Sequence, residues 1–395
     1  MKTSYQCPGF LAAGIAAGIK KKGALDLGLI YSTTTATAAG VYTRNQVQAA
    51  PVLLCKDHLT GGGARAVIVN SGNANCYTGA EGRRNAYATA GEIASALQLD
   101  IKEVLVASTG VIGVPLPMDR IRSAIPSLTA AMHADGFSDF ARAIMTTDTV
   151  PKLVQKQGVI DGRTFSLLAI AKGAGMLRPD MATMLCFIST DAGLDGALLQ
   201  QALEGAVNKT LNRITIDGDT STNDTVLVLS NGASGVEIRT APQSEIFKTV
   251  LTEALQEISR MLIKDGEGVT KVVEINVRGA SSNQEALQIA DTVAHSPLVK
   301  TAFFGEDANW GRIIAAVGRA GIPIDPDRID LYFDHVKLIS QGSYCGTDAE
   351  AQAASIMRQS EFAVTIDLNA GSGCDAILTS DLSVEYVRIN ADYRT

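Results

Sequence analysis

The segment Lys172-Gly173-Ala174-Gly175-Met176-Leu177-Arg178-Pro179-Asp180-Met181-Ala182-Thr183-Met184-Leu185 sets two glycines and a proline ahead of a threonine that opens an apolar run. By propensity alone, Thr183 is a β-branched residue at a strand start. Its hydroxyl supports a sharper chemistry. A threonine oxygen is a weak nucleophile until a base takes its proton. With the backbone strained at Ala182, that oxygen could attack the Ala182 carbonyl, convert the amide to an ester and leave the ester to water. The cut would free an α-amine on Thr183. Such an amine titrates near about 8, so a fraction is neutral at physiological pH and can take the proton of the hydroxyl beside it. Nucleophile and base then need one residue, and no histidine partner.

Other chemistries find less support. His58, His133, His295 and His335 show no ligand spacing, and the six cysteines form no C-x-x-C pair, so no zinc site and reduced thiols are expected. Asp217-Gly218-Asp219 suggests a calcium loop, but Thr222 replaces the required glycine and Val228 the closing glutamate, which excludes it. Lys172-Gly173-Ala174-Gly175 as an anion loop lacks the spacing and trailing Lys-Ser/Thr of a P-loop.

A chain of 395 residues, 46% apolar and 19% charged, with a net charge of −7, has the profile of a folded soluble protein and not of a nucleic-acid binder. The triplet Lys20-Lys21-Lys22 reads as a solvated turn. No apolar run is long enough to span a membrane, and no signal peptide is expected, so the chain is placed in the cytoplasm.

Strands and helices alternate along the chain. Ala66 to Val69 reads as a buried strand running into Asn70-Ser71-Gly72-Asn73-Ala74-Asn75, and Val104 to Ala107 as another entering Ser108-Thr109-Gly110. Between them a helix should bury Tyr87, Ala90, Ala94 and Leu97. Ser138 is the expected N-cap of a helix over 139–145. Asp195 should cap one carrying Leu199, Ala202, Leu203 and Ala206, and Ser244 one burying Phe247, Leu251, Leu255, Ile258 and Leu262. Late strands are expected at 272–277, 329–333, 362–368 and 383–389, the last from its alternation. The class is α/β (α+β layered), sheets covered by helices.

The segment 172–185 resembles the self-cleavage motif of the ornithine acetyltransferase (glutamate N-acetyltransferase) family. Further blocks, in family order, are 69–75, 108–113, 145–152, 217–224, 265–268, Asp307-Ala308-Asn309-Trp310-Gly311-Arg312 and the terminal 386–395. They run from Val69 to the last residue, so the resemblance covers most of the chain. Departures are modest: Cys76 then Tyr77 stand where the family more often has Ala then Cys, and Arg178 and Asp180 replace the commoner Ala and Asn.

The resemblance implies an autoprocessed, N-terminal-nucleophile-like acyltransferase. Cleavage between Ala182 and Thr183 would give an α chain (1–182) and a β chain (183–395), assembled as a heterotetramer of two of each. Thr183 would accept the acetyl group, and Thr109 and Gly110 would form the oxyanion hole, where each donor is commonly worth about 3 kcal/mol. Lys172 would hold the substrate carboxylate, with Thr146 or Thr147 as a further contact. Glu267 would engage the ammonium end of ornithine, Gly266 and Gly268 letting the substrate approach. Asn390 and Thr395 would complete the pocket. The substrates implied are N2-acetyl-L-ornithine and L-glutamate. No metal or redox cofactor is implied, and acetyl-CoA is a donor for some family members and not for others. The alternatives are an autoprocessed amidase or aminopeptidase, with water as acceptor, and a non-catalytic ligand-binding protein.

Overall fold

In the computed structural model, which describes residues 4–20, 23–178 and 184–392, two sheets carry the chain. The first is built from β1 (Phe10–Ile15), β2 (Leu27–Tyr42), β3 (Gly63–Asn73), β4 (Val104–Val111), β5 (Lys152–Ile160), β6 (Arg163–Lys172), β7 (Leu185–Thr190) and β8 (Thr225–Ser230). Its order is β4-β3-β2-β8-β7-β6-β5, with β1 paired to the first part of β2. β3–β4 and β7–β8 are parallel, the other pairs antiparallel.

The central strands are apolar throughout because both faces are covered. Leu168 and Ile170 of β6, Phe187 of β7, and Leu227 and Leu229 of β8 face one core. There they meet α1 (Ala50–His58), α2 (Gly79–Leu97), α3 (Met118–Ala130) and α4 (Phe137–Ile144). The alternate residues Leu167, Ala169, Cys186, Ile188, Val226 and Val228 face a second core with α5 (Gly196–Lys209) and α6 (Ala241–Lys264). Truncating a fully buried ring such as Phe187, edge-on to Phe140, typically costs about 3–5 kcal/mol.

The second sheet comprises β9 (Val272–Ala280), β10 (Asp330–Phe333), β11 (Val336–Ser340), β12 (Ser343–Tyr344), β13 (Glu361–Asp367) and β14 (Gly373–Ser380), in the order β12-β11-β10-β13-β9-β14. Its core includes residues of α7 (Asn283–Ala294), α8 (Pro297–Phe304), α9 (Trp310–Gly318) and α10 (Thr347–Met357). The last element is α11 (Val384–Asp392).

Several local expectations are corrected. The segment 383–389 is helix, not strand: Ser383 Oγ accepts the Tyr386 N–H at 3.1 Å, opening α11. Its alternation is a coincidence, and Tyr386 and Asn390 share a face at i, i+4. The helix around Ser138 begins earlier, after Gly136, where a Cβ would stand 1.8 Å from the Ala12 carbonyl oxygen. Ser244 lies inside α6, whose cap is the Thr240/Gln243 capping box, although the inward face is as expected. Asp195 caps α5 as read, accepting the Leu198 N–H. In α2 the buried face runs through Ala86, Ala90, Ile93 and Ala94, and Tyr87 is exposed. Lys20 is not a solvated turn residue: its Nζ donates to the Met145 carbonyl at 2.9 Å.

Candidate active site

Loops at the ends of β3, β4 and β6, before β5 and β8, and after α6 meet at one cleft. Parallel pairing sets Ser71 opposite Thr109 and Gly72 opposite Gly110. The strands approach so closely there that a Cβ on Gly110, whose φ is +132°, would lie 2.3 Å from the Gly72 carbonyl carbon. Only glycine fits. The turn is braced by Ser108 Oγ donating to Asn70 Oδ1 at 2.6 Å, and by Asn223 Nδ2 donating to the carbonyls of Ala74 (2.6 Å) and Ser108 (2.8 Å).

Lys172 ends β6, its cross-strand partner being Leu185. Its buried ammonium donates to Thr146 Oγ1 at 2.8 Å and Thr109 Oγ1 at 3.2 Å. Each threonine oxygen accepts from the lysine and keeps its own O–H to donate elsewhere, while the ammonium has a third proton for a ligand. Burial pulls the Lys172 pKa below its ordinary value, against the raising pull of Asp148. Of the two candidate threonines, Thr146 is bonded to the lysine, and Thr147 lines the same cleft.

Asp148 organises this corner. It accepts the Gly173 N–H (2.7 Å), the Thr146 N–H (2.9 Å) and the Lys152 ammonium (2.7 Å). Burial would raise its pKa, but Lys172 and Lys152 prevail and hold the carboxyl at about 2.

Glu267 lies in the turn after α6. Its N–H donates to the Ala174 carbonyl at 2.7 Å, and its Oε2 accepts from Asn390 Nδ2 at 2.9 Å. The flanking glycines admit protein, not substrate. A Cβ on Gly268 (φ +67°) would stand 2.4 Å from Tyr386 N, and one on Gly266 2.6 Å from Ile216 Cδ1. Tyr386 in turn donates to Asp217 Oδ2 at 3.1 Å, and Asp217 also takes the N–H groups of Met176 (2.6 Å) and Leu177 (2.9 Å). Burial raises the Asp217 pKa, and burial together with Asp217 raises that of Tyr386. On the other flank of the 179–183 segment, Asp224 Oδ1 accepts the Met184 N–H at 3.1 Å, and burial pushes that carboxyl well up.

Thr109, Gly110, Thr146, Thr147, Lys172, Glu267 and Asn390 thus line one cleft. Ala182, Thr183 and Thr395 lie outside the described residues. The sequence alone assigns no role to the braces Asp148, Lys152, Asp217, Asn223 and Asp224, Asp217 being weighed there only as part of an excluded calcium loop. All lie within the quoted blocks, and the one local signal was the i, i+4 pair Asp148/Lys152.

The ArgJ family model matches residues 11–395. The arginine biosynthesis bifunctional protein ArgJ of Geobacter sulfurreducens is 50% identical over 389 residues, 98% of this chain and 99% of that protein. Its namesake in Symbiobacterium thermophilum is 47% identical over 393 residues, covering 98% of this chain and 97% of that protein. A solved structure of the arginine biosynthesis bifunctional protein from Bacillus halodurans is 40% identical, covers 45% of this chain and 92% of that one, and has a TM-score of 0.43. With a family match from residue 11 to the last residue, and relatives about half identical along almost their whole length, this chain belongs to the ArgJ family.

Proposed function

We propose that this chain transfers acetyl from N2-acetyl-L-ornithine to L-glutamate in arginine biosynthesis, through an acetyl ester on Thr183 exposed by cleavage after Ala182. The observation that carries the reading is a cleft with a buried ammonium, Lys172, bonded to two threonine hydroxyls, and a carboxylate, Glu267, in the same wall. An amino acid with a cationic side chain has the complementary charges.

In cleavage, the Thr183 oxygen attacks the Ala182 carbonyl and the C–N bond breaks, leaving an ester and a free Thr183 amine; water then hydrolyses the ester to the Ala182 carboxylate and the Thr183 hydroxyl. In transfer, that amine takes the hydroxyl proton while the oxygen bonds to the acetyl carbon. The Thr109 hydroxyl and the Gly110 amide donate to the oxyanion. The bond from acetyl to the ornithine nitrogen then breaks, the nitrogen takes the proton, and ornithine leaves. The glutamate amine attacks the ester, N-acetylglutamate departs, and Thr183 regains its proton. Lys172 binds the α-carboxylate in both half-reactions, with Thr146 beside it, Asn390 closes the pocket at Glu267, and the family resemblance adds Thr395 as a substrate contact.

No step needs a metal or redox cofactor. Acetyl-CoA as a second donor accords with the relatives' name, bifunctional. The assembly we infer is a heterotetramer of two α (1–182) and two β (183–395) chains acting in the cytoplasm. Among the described residues no helix is long and apolar enough to cross a membrane. Intact mass and amino-terminal sequencing test the reading: fragments should begin at Met1 and Thr183, and Thr183→Ala should remain whole and transfer no acetyl. Full turnover by an uncut chain would overturn it.

A further inference from the structure

Glu267 is tied to Lys172 by a closed ring of bonds running beneath the cleft. Gly173, next to Lys172, donates its N–H to Asp148 at 2.7 Å, and Asp148 accepts the Lys152 ammonium at 2.7 Å. Lys152 reaches Asp265 Oδ2 at 2.5 Å. Asp265 precedes Glu267 by two residues, and Glu267 returns to the start through its N–H bond to the Ala174 carbonyl at 2.7 Å. The Lys152 and Asp148 side chains are fully buried and that of Asp265 is 6% exposed. A buried ion pair adds little net stability, and breaking one link leaves a charge uncompensated.

Gly175 stands at the mouth of the ring. A Cβ there would lie 2.6 Å from Glu267 Oε2 and 2.7 Å from Cδ, so the carboxylate rests against the bare backbone, held from the other side by Asn390. The φ of Gly175 is outside the left-handed region, so a methyl group is compatible with the backbone. What it displaces is the carboxylate.

We propose that this ring, with Gly175 at its mouth, is a length gauge: it fixes the Glu267 carboxylate relative to the Lys172 ammonium and so selects the acetyl donor by the reach of its amine-bearing side chain. The proposal rests on the reading above, in which Lys172 and Glu267 contact the two ends of the donor. One methylene in a fitted site changes kcat/KM by about 10- to 200-fold, provided the two ends cannot adjust. The buried ring and the Ala174–Glu267 bond deny them that freedom.

The test compares acetyl transfer to glutamate from N2-acetyl-L-ornithine, the donor one carbon shorter (N2-acetyl-L-2,4-diaminobutyrate), the one longer (N2-acetyl-L-lysine), and N-acetyl-L-norvaline, which has no side-chain amine. The wild type should favour the ornithine donor over both amine homologues by about tenfold or more. Gly175→Ala should cut kcat/KM for the ornithine donor by about tenfold, mainly through KM, and erase or shift the preference, with a smaller loss on the norvaline donor. A second variant guards against misfolding: Glu267→Asp withdraws the carboxylate by one bond and should move the preference toward N2-acetyl-L-lysine. Unaltered discrimination in both variants, or an equal loss on all four donors, overturns the gauge and leaves the proposed function standing. A wild type that transfers nothing from N2-acetyl-L-ornithine overturns both.

Discussion

Thr109 and Thr146 both accept a hydrogen bond from the Lys172 ammonium, which leaves each hydroxyl free to donate. For Thr109 that is the role an oxyanion needs. Thr109→Val keeps the shape and removes the donor, so steady-state kinetics should show kcat down by about 100-fold with KM little changed. A matched loss in KM would assign Thr109 to substrate binding instead. Lys172 makes a second prediction. Burial lowers its pKa from 10.5, and it binds a carboxylate only while charged. KM for the acetyl donor should therefore climb as pH rises through a value below 10.5, earlier than an exposed lysine would titrate. Lys172→Arg, charged throughout, should flatten that climb whatever it does to KM at neutral pH.

At the scale of elements, the Glu267 side of the cleft is made by two pieces far apart in sequence, the turn after α6 and the helix α11. They meet because Gly268 has no side chain: its φ is +67°, and a Cβ would strike Tyr386 N at 2.4 Å. Gly268→Ala should push α11 off its seat and with it the Asn390–Glu267 and Tyr386–Asp217 bonds. The expected result is a KM for the ornithine donor raised about tenfold or more, since lost polar contacts of this kind cost about 1–3 kcal/mol. Hydrogen exchange should speed up in α11 while the β6 and β7 amides stay protected. Unchanged exchange in α11 would contradict this account of the glycine.

At the scale of the molecule, residues before and after position 183 do not form separate bodies. β7 and β8 fill the middle of the first sheet, β7 pairing with β6 and β8 with β2. Their side chains enter both cores, Phe187 and Leu227 on one face, Ile188 and Val226 on the other. A cut in the β6–β7 connection removes none of these pairings. After cleavage the fragments should co-elute in size-exclusion chromatography and unfold in one thermal transition. Separation without denaturant would contradict this interleaved topology.

Much of this was legible along the chain. The apolar runs at 66–69 and 104–107 mark strands because burial on both faces leaves little room for polar residues, whereas 272–277 alternates, with Val273, Ile275 and Val277 buried. The caps of α5 and the inward face of α6 follow from local hydrogen bonding and 3.6-residue periodicity. The blocks around Thr109, Lys172 and Glu267 contain residues that the structure brings to one cleft. Tertiary structure decided what local patterns leave undetermined. Residues 383–389 alternate like a strand, yet Ser383 caps a helix, and that helix packs where only Gly268 leaves space. Asp148, Lys152 and Asp265 read as ordinary charges until β5, β6 and the end of α6 converge and bury them as one ionic ring. Residue type and spacing along one segment specify which groups are present. Distances between groups a hundred residues apart exist only once the sheet has set its strand order and register.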